Sequence, residues 1–385
     1  MNFQLTEEQA LIKKSVHDFA DQQIAPLMDE VEKTGRFPAE VVVPMYREMG
    51  LIGMTLPEEY GGGGMPAFDA ILAMEELARV SPIASGPVFE SCFGPIRVVE
   101  KFGTEEQKKR FIPPCAKGEK FMAIGMTEPG AGSALTDLST SAVLKGDHYV
   151  INGQKRFISG GGHADMYMVY VRLSDKRGAG GIGGIVVEKG LSGFSFGKQE
   201  EFMGLRGMPS CDLIFDDCVV PKGNLVIPEG GFAQLMQVFD IERCGNATQS
   251  LGIGWGALEA AKKYAKERKA FGKPICEFQA VQFLLADMAM KVEAARLLIY
   301  RAVSNAGKGV PSIFESSVAK CFSNEMAKEV TDMAMQVFGG YGYSKEYPVE
   351  RMLRDSRGWA VAGGTVQMQR INIAGAMLGR RFNQR

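Results

Sequence analysis

One carboxylate set into an apolar helical stripe is the first candidate for chemistry. In FAQLMQVFDIERCG (232–245), Leu235, Phe239 and Glu242 are spaced by four and three, so a helix puts all three on one face. Burial among such neighbours raises a carboxyl pKa, which is what a general base working near neutrality needs. The competing reading is a solvated ion pair with Arg243 or a nearby lysine. A second candidate is the loop IGMTEPGAGS (124–133), whose glycines let a ligand approach the backbone N–H groups and hydroxyls. A third is Phe157 and Ser159, an aromatic and a hydroxyl expected on the same strand face. A fourth is the basic stretch ERKAFGK (267–273) with Gln279 beyond it, suited to a pyrophosphate. Each has a plainer alternative when taken alone: a turn, a core aromatic, a solvated charge cluster.

The elements that must position these groups fall into three stretches. From Thr6, TEEQALIKKSVHDFA carries a capping pattern, Thr6 with Gln9, and then Leu11, Ile12, Val16 and Phe19 at helical spacing. Helices are expected to about residue 120, interrupted by the PEEYGGGG loop (57–64). A β region follows. HYVI and QKRFIS flank Asn152-Gly153, a dipeptide that predicts a hairpin turn, and further strands are expected at 166–171, 184–188 and 211–220. After Gly230-Gly231 the pattern predicts long helices over 232–267, 277–306 and 312–338. Val281, Leu284, Leu285, Met288, Val292, Ala295, Leu298 and Ile299 form one wide stripe on the second of them. The expected fold class is therefore multidomain α+β. It comprises an N-terminal all-α domain (1–120), a middle antiparallel β domain (121–230) and a C-terminal four-helix-bundle domain (231–385).

Composition narrows the function. The 385 residues carry 44 Lys+Arg against 45 Asp+Glu, so bulk charge selects neither nucleic acid nor an anionic membrane. The 47 glycines are about 12% of the chain against a usual ~7%, so backbone is approached closely somewhere. Seven scattered cysteines without a Cys-x-x-Cys pair read as reduced thiols, and cytoplasmic localisation is expected. Three separated histidines, none at ligand spacing from a cysteine, give no expectation of a metal. No targeting segment and no 18-residue apolar run is seen in the sequence.

Taken together and in order, these segments resemble the acyl-CoA dehydrogenase family over essentially the whole chain. The resemblance rests on PEEYGGGG (57–64), MTEPGAGS (126–133), NGQKRFIS (152–159), YAKERKAFGKPICEFQ (264–279), QVFGGYGY (336–343) and AGGTVQMQR (362–370). It implies FAD as cofactor, an acyl-CoA thioester as substrate, an electron-transfer flavoprotein as electron acceptor, and a homotetramer or dimer of dimers. Carried over by motif, Ile124, Met126, Thr127, Gly132 and Ser133 would line the flavin, with Ser133 shared with the CoA phosphates. Phe157 and Ser159, standing where relatives often have Trp and Thr, would flank the isoalloxazine. Arg268, Phe271, Gln279, Gln336, Gly339 and Gly340 would reach FAD across a subunit interface, and Thr365 and Gln367 would hold its adenosine-diphosphate side. Ala134 departs from the frequent Asp after Gly-Ser.

The resemblance also implies a displaced base. Many members carry the catalytic Glu in Tyr-Glu-Gly-Thr near the C-terminus, where this chain has Ala362-Gly363-Gly364-Thr365. Relatives of the isovaleryl-CoA and long-chain type instead carry it on the helix opening the C-terminal domain, before an Arg, the place of Glu242-Arg243. Asp240 and Arg243 then match CoA-contacting positions, Gly364 joins the substrate site, and the Gly363 N–H remains available to polarise the thioester carbonyl. Glu90 lies where relatives line the far end of the acyl pocket, and the missing side chain at Gly363 suggests room for a branched or cyclic acyl group. The implied reaction is α-proton abstraction with β-hydride transfer to flavin, giving a 2-enoyl-CoA. The alternatives are a carbon–sulfur lyase of the sulfinoacyl-CoA desulfinase type, a crotonobetainyl-CoA-type enoyl reductase, a cyclic-diene-forming dehydrogenase using Glu90, and a flavin-binding scaffold without catalysis.

Overall fold

The computed structural model describes residues 4–307, 309–380 and 382. Seven helices come first: α1 (Glu7–Phe19), α2 (Ala25–Thr34), α3 (Ala39–Glu48), α4 (Ala67–Val80), α5 (Gly86–Cys92), α6 (Ile96–Phe102) and α7 (Glu105–Ala116). The Thr6–Gln9 capping box forms as read, each side chain bonding the other residue's backbone N–H. The apolar stripe of α1 is narrower than its spacing suggests, since Val16 is buried while Leu11 is 64% exposed.

The sheet is built from β1 (Met122–Gly125), β2 (Ser141–Lys145), β3 (His148–Ser159), β4 (Met166–Arg172), β5 (Ile182–Glu188), β6 (Phe194–Phe196), β7 (Ser210–Pro221) and β8 (Leu225–Ile227). Its order is β6-β7-β3-β2-β4-β5-β8, with β1 paired to β4. Two expectations need correction. The sheet is mixed rather than antiparallel, because β1 and β2 each pair with β4 in parallel. The Asn152-Gly153 dipeptide is not a hairpin turn but the interior of one 12-residue strand, β3. That strand hydrogen-bonds β2 on one side and β7 on the other, and ladders on both edges outweigh a local turn preference. Gly153 sits instead at a register shift, where Asn152 Nδ2 donates to Asp217 Oδ1 at 3.0 Å.

The last stretch holds α8 (Phe232–Glu267), α9 (Gln279–Ala306), α10 (Ile313–Phe338), α11 (Pro348–Trp359) and α12 (Val366–Met377). The α9 stripe faces inward through Met288, Val292, Ala295 and Ile299, all buried. Among the described residues no helix is long and apolar enough to cross a membrane. The seven cysteines are unpaired, and all but Cys276 are buried.

Helix α8 joins the parts, since its buried residues enter both the large helical core and the core that continues into the sheet. Glycine makes its approach to α4 possible: a Cβ on Gly252 would stand 2.3 Å from Ala78 Cβ and 2.5 Å from the Ala78 carbonyl carbon. Backbone cannot yield there as a flexible side chain would. Gly252→Ala should therefore cost about 1–3 kcal/mol, seen as a lowered midpoint in thermal melts.

Candidate functional site

A cleft of about 2850 Å³ runs between the helices and the sheet. Single-ligand pockets are typically about 300–1,000 Å³, so this one has room for two large ligands side by side. Ile124, Met126, Thr127, Gly132, Ser133, Phe157, Ser159, Glu90, Asp240, Glu242, Arg243, Gly363, Gly364 and Thr365 all line it. Residues spread over the chain from 90 to 365 thus converge on one space.

The glycine-rich loop is anchored from below. Lys155, fully buried on β3, donates to Glu128 Oε1 at 2.7 Å and to the Met126 carbonyl at 3.3 Å. Glu128 also accepts from the backbone N–H groups of Ser139 at 2.6 Å and Thr140 at 2.9 Å, and the Arg156 N–H donates to the Thr127 carbonyl at 2.8 Å. Burial alone would raise the Glu128 pKa, but the Lys155 charge and these donors hold it at about 2. The plain-turn reading is thereby replaced by a loop fixed against the sheet. Neither Lys155 nor Glu128 was singled out by sequence; a lysine on a strand reads as solvent-facing until the partner across the fold is known.

Phe157 and Ser159 reach the cleft for a different reason from the expected alternation. Phe157 has φ +57 and lies within a register shift between Lys155 and Ile158, so period-two facing does not apply. Its ring is 50% exposed, with the Arg156 guanidinium 4.5 Å from its centroid.

Glu242 is the centre of the polar half. Among the described residues its buried Oε2 has no hydrogen-bond partner, and burial raises its pKa to about 7 against the opposing charges of Lys320 and Arg243. The expected competitor, an ion pair with Arg243, does not form: Arg243 pairs with Asp240, which Ser316 Oγ also contacts at 3.1 Å. A Cβ on Gly363 would stand 3.1 Å from Glu242 Oε1 and 3.3 Å from Asn246 Nδ2, so the volume vacated at Gly363 is bounded by that carboxylate and that amide. Arg243 Nε, Asn246 Nδ2, Trp359 Nε1 and Gln369 Oε1 are likewise buried and unpartnered, and all four residues line the cleft. Buried polar atoms are ordinarily satisfied, so a cluster of unmet ones on one cleft marks where a polar ligand completes the set. Glu90 lies on the same cleft; burial and then the Glu242 charge push its pKa to about 8.

The remaining sequence candidates lie elsewhere. Arg268, Gly339 and Gly340 line a second hollow of about 520 Å³ with Tyr264 and Tyr341. Gln279, Gln336 and Gln367 are exposed, and Phe271 is 96% exposed at φ +51. Within one chain, then, this group does not meet the main cleft. Thr365 spends its hydroxyl as the N-cap of α12, accepting from Met368 N at 3.3 Å. The buried Glu128–Lys155 pair carries a testable sign: Glu128's folded pKa is below its ordinary value, so its contribution is complete above that value and fades as pH falls towards 2. Lys155→Met should cost roughly 3–5 kcal/mol at pH 7 and less at pH 4, measured by urea denaturation.

Three family models match in order: acyl-CoA dehydrogenase N-terminal domain over residues 6–119, middle domain over 123–218 and C-terminal domain over 229–378. Among relatives, a subunit of the caffeyl-CoA reductase-Etf complex of Acetobacterium woodii is 41% identical, covering 97% of this chain and 99% of its own. The 3-sulfinopropanoyl-CoA desulfinase of Paraburkholderia xenovorans is 39% identical, covering 100% and 99%. The structure of butyryl-CoA dehydrogenase from Megasphaera elsdenii superposes with a TM-score of 0.94 at 38% identity, covering 98% of this chain and 100% of that one. A reductase, a desulfinase and a dehydrogenase are thus nearly equidistant, so identity alone does not select the reaction. The shared architecture, however, extends from end to end: the chain belongs to the acyl-CoA dehydrogenase family.

Proposed function

We propose that this enzyme binds FAD and an acyl-CoA in the main cleft and that Glu242 removes the α-proton of the acyl group, yielding a 2-enoyl-CoA. One observation carries the reading: a buried carboxylate oxygen without a partner opens on a cleft large enough for both ligands. A bonded cation would pull the carboxyl pKa down and make it a feeble base. At about pH 7 Glu242 is instead poised to take a proton and to lose it again.

The FAD would be held by Met126, Thr127 and Ser133 on the anchored loop, against the Phe157 ring, with Ile124, Gly132 and Ser159 beside it. Bound there, it supplies the acceptor for the β-hydride. Arg268, Phe271, Gln279, Gln336, Gly339, Gly340 and Gln367 would complete that site for a neighbouring subunit. Exposed Phe283, Met290, Tyr343, Met377 and Leu378 on the C-terminal helical part suit burial in a homotetramer. Asp240 and Arg243 would meet CoA, and the Gly363 N–H would hold the thioester oxygen where negative charge develops. Glu90, protonated at neutral pH, adds no second anion beside Glu242 and bounds the acyl group as a neutral donor. The acceptor of electrons would be an electron-transfer flavoprotein, in the cytoplasm, where seven unpaired cysteines are chemically at home.

Anaerobic bleaching of the holoenzyme with straight, branched and cyclic acyl-CoAs tests the assignment. Glu242→Gln should abolish bleaching while retaining FAD, whereas Glu90→Gln should still bleach. Because the base must be ionised, kcat/KM should fall as pH drops through about 7. Bleaching that survives in Glu242→Gln and vanishes in Glu90→Gln would move the base to Glu90. No bleaching by any saturated acyl-CoA would favour the reductase or the lyase.

A further inference from the structure

Opposite Glu242 lies a lysine that the proposed chemistry has not yet used. Lys320, on α10, is 0% exposed. Its Nζ donates to the carbonyls of Ala362 at 2.9 Å, Gly364 at 3.1 Å and Trp359 at 3.3 Å, and to Asn324 Oδ1 at 3.1 Å. All four acceptors are neutral, and among the described residues no carboxylate bonds the ammonium. A cation so deeply buried without a bonded anion is costly to keep, and a turn could be pinned by a neutral donor.

We propose that Lys320 is a positioning residue for the reaction, pinning the turn from Trp359 to Gly364 and polarising the Ala362–Gly363 peptide so that its N–H becomes a strong donor to the thioester oxygen. The inference rests on the reading in which the Gly363 N–H receives that oxygen. The geometry is specific. The Ala362 carbonyl and the Gly363 N–H are two ends of one conjugated peptide unit, so a cation on the oxygen draws electron density from the nitrogen. That N–H has no acceptor among the described residues, and Gly363 lines the cleft. Gly363 and Gly364 have φ +63 and +86, two successive left-handed residues, so the conformation presenting the N–H is one the chain must be held in.

A second branch leads to the same place. Asn324 accepts from Lys320 through Oδ1 and donates through Nδ2 to Asn246 Oδ1 at 3.2 Å and Ser250 Oγ at 2.6 Å. Asn246 is thereby turned so that its unpartnered Nδ2 faces Gly363, 3.3 Å from where a Cβ would stand. One buried charge thus orients two N–H donors on one wall. The ionisable groups that act on Lys320 are Glu242 and Arg243 from α8 and Cys321 beside it on α10. Burial lowers its pKa to about 8, against the raising effect of Glu242.

The test uses holoenzyme carrying Glu242→Gln, which should bind an acyl-CoA without turning it over, and butyryl-CoA labelled with 13C at the thioester carbonyl. Isotope-edited infrared spectroscopy reads the carbonyl stretch, which moves to lower frequency when the oxygen is polarised. In that background, adding Lys320→Met should remove more than half of the displacement from the free ligand, and Lys320→Arg, which keeps the charge, should retain most of it. Losing Glu242 removes the anion that supports Lys320's protonation, so the displacement should also fade as pH rises from 6 to 9 with Lys320 intact. That measurement stands even if Lys320→Met fails to fold. With Glu242 present, Lys320→Met should lower kcat roughly 10- to 100-fold with a much smaller change in KM. A displacement unchanged by Lys320→Met and flat with pH overturns the proposal while leaving the Gly363 reading intact. No displacement in Glu242→Gln alone overturns both, at the earlier step.

Discussion

A carboxyl is poised near neutral pH where burial weakens its hydration and no cation bonds it, and the architecture around α8 meets that double condition at Glu242. Hydration is weakened because α8 is packed against α4 through Gly252 and against the sheet through Leu235 and Phe239, leaving Glu242 part-buried on the cleft wall between two cores. Cations are present but occupied. Arg243 is engaged by Asp240, and Lys320 by backbone carbonyls, so each lowers the Glu242 pKa only from a distance. Had either bonded the carboxylate directly, the group would be an ordinary buried ion pair.

The neighbouring Glu90 sharpens this arrangement. Two carboxyls on one cleft cannot both ionise cheaply, and the Glu242 charge adds to burial in holding Glu90 towards its neutral form. Along the glycine-rich loop the logic is different, since the segment from Met126 to Ser133 is held by a compact buried ion pair that fixes its shape. The cleft wall thus carries a carboxylate left unbonded at Glu242, and the loop beside it rests on a charge pair tied down beneath it.

Much of this was legible from residue order. The Thr6 capping box and the long helices α8, α9 and α10 follow from local rules, and Glu242 was visible because one acid broke an apolar face. What escaped depended on contacts distant in sequence. The Asn152-Gly153 pair has strong turn chemistry, yet ladders to β2 and β7 carry the strand straight through it. Strands β2, β6 and β8, of five, three and three residues, are too short to show a period. Lys320 and Lys155 were overlooked because lysine is read as a surface residue. For Lys320 a usable signal existed: it interrupts a helix face of small residues, Ser316, Ser317, Ser323 and Asn324, every one buried.

Gly363 carries a consequence for how such a site can change over time. The direction its side chain would take ends against the Glu242 carboxylate, so two backbone positions some 120 residues apart aim at nearly the same point. That point is defined by location in space, and the chain has more than one route to it. On the proposed reading, a carboxylate supplied from either element would meet the same point without rebuilding the wall between them. A left-handed glycine at 363 thus leaves a side-chain direction that closes on an acid carried by another element, and the empty position points to that acid.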